Sequence, residues 1–84
     1  MPSHELELRK TLASNLRGYR KINDLSQEEL AAKCNLHRTY IGSVERCERN
    51  VTLGTLCALS KALNIEVPSL LISRKDSKDA KKQD

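Results

Sequence analysis

Tryptophan and phenylalanine are absent from this 84-residue chain, and two tyrosines are its only aromatic residues. Single-stranded nucleic acid is usually held by stacking bases on aromatic side chains, so that class of ligand is disfavoured. Cys34, Cys47 and Cys57 form an odd set with no close pair. That argues against a disulfide framework and against export. Neither the cysteines nor the two histidines have metal-ligand spacing; Cys34 lies three residues before His37, and buried thiols are the simpler reading. No glycine-rich phosphate loop exists. Ser43 lacks His and Asp companions for nucleophilic catalysis, and Glu28 and Glu29 fall in a solvated first turn. The expectation is a protein that is not an enzyme and that needs no metal and no cofactor.

Long apolar runs are missing as well, and none approaches membrane-spanning length. The opening "MPSHELELRK" carries charges where a signal peptide needs an apolar core. A soluble, cytoplasmic protein with no membrane partner is expected. Its length allows one small domain whose core is only just large enough to be stable alone. Apolar residues make up 38% of the chain, a low share, so oligomerisation would help it. The formal net charge of +4 suits a polyanionic partner without proving one.

What is present is helical periodicity. Leu8, Leu12, Leu16 and Tyr19 share one face of a helix from about His4 to Lys21, which Asn23 and Asp24 end. Ser26 with Glu29 has the arrangement of a capping box, opening a second helix from Gln27 to about Cys34 that buries Leu30 and Ala31. Asn35 accepts left-handed backbone angles and can turn the chain sharply. Leu36 plugs the corner, and a third helix runs from about Arg38 to Arg46. Thr52 can cap a fourth helix with the stripe Leu56, Leu59 and Leu63, stopped at Asn64. Pro68 suits the first turn of a short fifth helix containing Leu70, Leu71 and Ile72. Residues 1–73 are therefore expected to form one domain, and the charged segment 74–84, "RKDSKDAKKQD", a disordered tail. No segment alternates like a strand, so the fold is all-α.

The second and third helices are joined by a turn from Asn35 to His37, which is the helix-turn-helix plan. Such a corner needs a small residue where the third helix crosses the second, and Ala31 is there. Four residues later it needs a left-handed position, filled by Asn35. Apolar Leu36, Ile41 and Val44 lock it. The bland alternative is a helical hairpin unrelated to DNA, but the basic residues on the open face weigh against it.

The stretch "LRGYRKINDLSQEELAAKCNLHRTYIGSVERCERNVTLGTLCALSKALNI" resembles the Cro/repressor-type (Xre-like) helix-turn-helix domain of bacterial and phage regulators. The resemblance covers about Leu16 to Ile72. Within that family, "RTYI", "VER" and "RN" look most like controller proteins of restriction–modification systems. The resemblance implies a compact five-helix bundle of the lambda-repressor-like type. It implies a homodimer on a palindromic double-stranded DNA operator, activating and then repressing its own promoter. A second dimer on an adjacent site and RNA polymerase are further implied partners.

On that footing Arg38, Thr39, Tyr40, Ser43 and Arg46 are expected to read bases in the major groove. Arg38 has the planar fork that grips guanine. Tyr40 has the alternative of packing on the domain, and His37 is read as a turn or cap residue. Gly42, on the same outer face, would let the helix sit deeper, unless it reflects neutral drift. Gln27 opens the second helix, where backbone N–H groups can hold a phosphate. Arg49, Asn50 and Thr52 are placed where the family touches phosphates, although Asn50 and Thr52 suit turn and cap roles equally. The family's internal salt bridge falls on Arg20 and Glu45, with Arg17 and Lys21 as alternative partners. Cys47 departs from the Gly or Asn common where the third helix ends. Val67, Leu70, Leu71 and Ile72 exceed what so small a core absorbs, so a two-fold interface is expected there; the alternative is that the fifth helix closes the monomer core.

Two other readings compete. A phage-type repressor or toxin–antitoxin autoregulator would use the same fold on DNA. A helix-turn-helix protein-interaction module without DNA binding would carry an apolar or acidic third helix, where this chain has arginines.

Overall fold

Helix boundaries in this chain are set by short local devices, and the computed structural model, which describes residues 4–73, shows them in place. Five helices follow in order: α1 His4–Ile22, α2 Gln27–Cys34, α3 Arg38–Glu45, α4 Leu53–Leu63 and α5 Val67–Leu71. The fold is all-α among the described residues. The expected tail, residues 74–84, lies outside them.

α2 begins with the complete capping box: Glu29 N–H donates to Ser26 Oγ at 3.0 Å, and Ser26 N–H donates to Glu29 Oε1 at 2.8 Å. Thr52 Oγ1 accepts from Thr55 N–H at 3.0 Å to start α4. His37 Nδ1 accepts from Thr39 N–H at 3.1 Å and so caps α3. Each device satisfies an N–H group that the helix itself leaves unpaired.

The C-terminal ends share one solution. Asp24, Asn35, Cys47 and Asn64 all have φ between 58° and 65°, and no glycine in the chain does. At each, the next residue's N–H reaches back five residues, as in Leu36 to the Ala31 carbonyl at 2.8 Å and Glu48 to the Ser43 carbonyl at 2.9 Å. These are Schellman-type ends made without glycine.

α2 packs mainly on α3, and α1 packs across both α3 and α5. The core runs through Leu12, Leu16, Leu30, Ala31, Ile41, Val44, Leu56, Leu59, Leu63 and Leu70. Each fully buried leucine there contributes about 1.5–3 kcal/mol. Leu8, expected on the buried face, is instead about half exposed, at an open groove shared with Val51, Leu56 and Leu71.

Five-residue α5 is far too short to persist alone. It is fixed by Leu70, which is fully buried, and by Asn15 of α1, which is 1% exposed. The Asn15 amide Nδ2 donates to the carbonyls of Leu70 at 2.9 Å and Ile72 at 2.7 Å, with a longer approach to Ser69 at 3.3 Å. Leu70 is thus part of the protomer's own core, as in the alternative in which the fifth helix closes the monomer. Val67 and Leu71 are partly buried against the same core, and Ile72 is 53% exposed.

Candidate nucleic-acid interface

The α2–α3 corner sets the site. Asn35 turns the chain with φ 58°, and Ile41 and Val44 face inward. The opposite side of α3 is left to Arg38, Thr39 and, past its end, Arg46, all exposed. Arg38 of α3 approaches Glu28 of α2, with Nη1 4.0 Å from Oε1, and both side chains are largely solvated. Arg46 pairs with Glu48 at 3.2 Å, again in solvent. Pairs of this kind contribute little and exchange readily for another anion. The Thr39 hydroxyl lies against His37 Nδ1.

Beneath this face lies a buried charge. Glu45 is 3% exposed and forms a two-pronged pair with Arg20, Nε to Oε2 at 2.7 Å and Nη2 to Oε1 at 3.0 Å. Of the two alternative partners, Arg17 donates to the Glu45 backbone carbonyl at 2.7 Å and approaches its carboxylate at 3.8 Å. Gln27 Nε2 also donates to Glu45 Oε1, at 3.0 Å. Burial alone would push this carboxyl up, but hydrogen bonds from Arg20 and Gln27, with the charges of Arg20 and Arg17, hold it below the usual glutamate value. The same pairing raises the Arg20 guanidinium. Gln27, expected at a phosphate, therefore has its amide committed to an internal carboxylate; its backbone N–H at the start of α2 keeps the orientation that suits an anion.

Two residues placed on the outer face belong elsewhere. Gly42 is buried, and a Cβ there would stand 3.1 Å from Arg46 Nη1 and 3.4 Å from Gln27 Oε1. The space above it is already filled by side chains from one turn later and from α2. Ser43 is 8% exposed, with its hydroxyl donating to the Tyr40 carbonyl at 2.8 Å and accepting from Arg49 Nε at 3.3 Å. Its hydroxyl is engaged within the protomer, where the base-reading expectation had it open. Tyr40 is partly buried against the core. Asn50 and Thr52 are exposed before α4, and Thr52 is its cap.

Sequence reasoning missed Asn15 altogether. The signal was there, since it lies within the stripe of Leu12, Leu16 and Tyr19, where an amide must find partners or be costly. Among the described residues no group of three or more His, Cys or acidic side chains is placed to hold a metal. Cys34 donates to the Ala58 carbonyl at 3.6 Å, and burial pushes its thiol up, which makes it less nucleophilic. No described helix is long and apolar enough to cross a membrane.

Residues 16–70 match the helix-turn-helix family. The chain belongs to that family. Helix-turn-helix relatives include the control protein C.SmaI of Serratia marcescens, 64% identical over 66 residues that cover 79% of each chain. The crystal structure of the hypothetical transcription factor NHTF from Neisseria superposes with a TM-score of 0.85, at 35% identity and 95% coverage of both chains. The restriction–modification controller protein C.AhdI from Aeromonas hydrophila gives 0.72, at 42% identity over 74% of this chain and 94% of that one. The expected likeness to controller proteins holds at the family level.

Proposed function

We propose that this chain is a controller-type transcriptional regulator that binds a palindromic double-stranded DNA operator as a homodimer. The observation that carries the reading is the α2–α3 corner, which leaves Arg38, Thr39 and Arg46 on one open face, with Arg49 beside it. An α-helix fits the major groove, and arginine at its start can pair with guanine O6 and N7. Arg49, Asn50 and the N-terminus of α2 flank that helix and suit phosphates on either side. The likeness to control proteins supports a place in a restriction–modification operon, with the chain acting on its own promoter and RNA polymerase as a further partner.

Dimerisation would use the apolar surface that the protomer leaves open. Ile72 and Leu8 are exposed, and Leu8 lines a groove with Leu12, Val51, Leu56 and Leu71. A palindrome with half-sites in successive major grooves requires the two α3 helices to stand about one DNA turn apart, roughly 34 Å. The test is selection of bound duplex from a random pool, with sedimentation equilibrium at micromolar concentration. A palindromic consensus bound by two copies is expected; recovery of no preferred duplex, or a protein that stays monomeric on the selected one, rejects the reading.

A further inference from the structure

Two contacts meet on one cation beside α3, and a third joins the two residues that make them. Arg49 belongs to the connection after α3, yet its guanidinium carbon stands 5.4 Å from the centre of the Tyr40 ring. Its Nε donates to Ser43 Oγ at 3.3 Å, and that hydroxyl donates to the Tyr40 carbonyl at 2.8 Å. A hydroxyl has one proton and two lone pairs. By giving its proton to the Tyr40 carbonyl, Ser43 turns a lone pair toward Arg49. The ring on the other side is held because Tyr40 is partly buried against the core. A long, flexible side chain is thereby drawn back from its own loop and seated along α3.

We propose that Tyr40 and Ser43 are positioning residues for Arg49. Ring and hydroxyl seat the guanidinium beside α3 before DNA arrives, and they influence DNA affinity through Arg49 rather than by touching bases. This rests on the DNA-binding reading above. Ordering a rotamer-rich side chain in the free protein removes part of the ordering that binding otherwise requires. A solvent-accessible cation–ring contact has the strength for an effect of about two- to five-fold per half-site.

The experiment is a double-mutant cycle on the full chain, titrated against the duplex recovered by selection. Tyr40→Phe keeps the ring and should bind within about two-fold of the parent. Tyr40→Leu keeps apolar bulk without the ring, and Ser43→Ala removes the acceptor; each should weaken binding by about two- to five-fold per half-site. In an Arg49→Ala background neither should weaken it further. In the DNA-free protein, the Arg49 side-chain protons should show an upfield ring-current shift by NMR that survives Tyr40→Phe and disappears in Tyr40→Leu. Melting of each variant is followed alongside, and Ser43→Ala completes the cycle if Tyr40→Leu unfolds.

Losses that add fully to Arg49→Ala overturn the proposal. So does a Tyr40→Phe loss as large as that of Tyr40→Leu, which would make the hydroxyl a direct DNA contact. An absent ring-current shift overturns it too. A parent protein that selects no duplex sinks the regulator reading instead, and the NMR arm still decides whether Arg49 is seated.

Discussion

Gln27 donates its side-chain amide to Glu45 Oε1 at 3.0 Å, so the residue that opens α2 is tied to a carboxylate at the end of α3. Arg20 of α1 grips the same carboxylate. Three helices thus meet on one buried acid, directly under the candidate DNA face.

That acid should set the protein's tolerance of low pH. The folded-state value of Glu45 lies below its ordinary one, so its stabilisation is complete above about pH 4.3, the ordinary glutamate value. It is lost as pH falls below that and through the depressed value. Glu29, lowered by hydrogen bonds from Ser26, acts in the same window but in solvent. Glu45→Gln is expected to cost roughly 3–5 kcal/mol at pH 7 by stranding Arg20, and to flatten the acid limb of stability. Urea melts from pH 3 to 7 check this; an acid limb as steep as the parent's would mean that other carboxylates control it.

Cys47 is expected to be the strained helix end. Of the four left-handed residues among those described, Asp24, Asn35 and Asn64 are of types that tolerate φ near 60°, whereas Cys47 with φ 65° is not. Relief of about 1–2 kcal/mol of strain is partly offset by the freedom glycine adds to the unfolded chain. Cys47→Gly should therefore raise the melting temperature by a few degrees. A lower value would show that the cysteine's packing outweighs its backbone strain.

Gly42 offers a case where stability and binding should move in opposite directions. Alanine gains about 1 kcal/mol of helix propensity over glycine. Its methyl would press on Arg46 Nη1, the free end of a flexible side chain that can move aside. Gly42→Ala should melt higher yet bind the selected duplex more weakly, because Arg46 is displaced. If it melts lower, the notch over α3 is rigid rather than yielding.

Reading and holding can be separated between Arg38 and Arg49. Arg38→Ala should cost about 1–3 kcal/mol per half-site and relax preference at one or two base pairs. Arg49→Ala should weaken binding to all duplexes alike and lower the salt slope by about one unit per lost contact. Titrations against single-base variants at several salt concentrations distinguish them. Uniform loss with unchanged preference in Arg38→Ala would move the base-reading role to Thr39 or Arg46.

Much of the fold is legible in the sequence because its signals are local. Ser26 with Glu29, Asn35, Thr52 and Asn64 each act within a few residues of themselves, and the helices begin and end at or within a residue or two of where these signals put them. The candidate site is less legible, because a helix face is defined by what crosses it. Ser43 looks solvent-facing on a helix drawn alone, but Arg49 returns over it. Gly42 looks like an empty notch until Gln27 arrives from α2. Leu70 looks surplus until Asn15, 55 residues away, anchors its backbone. Such contacts have no periodicity to betray them.

The Asn15 anchor also bears on how the chain is made. Its acceptors are the carbonyls of Ser69, Leu70 and Ile72, at the end of α5. Helices α1 to α4 can flicker locally as they leave the ribosome. The core cannot close, nor a buried amide be satisfied, until α5 has emerged as well. A nascent chain that stalls before residue 69 has every residue of the α2–α3 corner but not the complete core that packs against it.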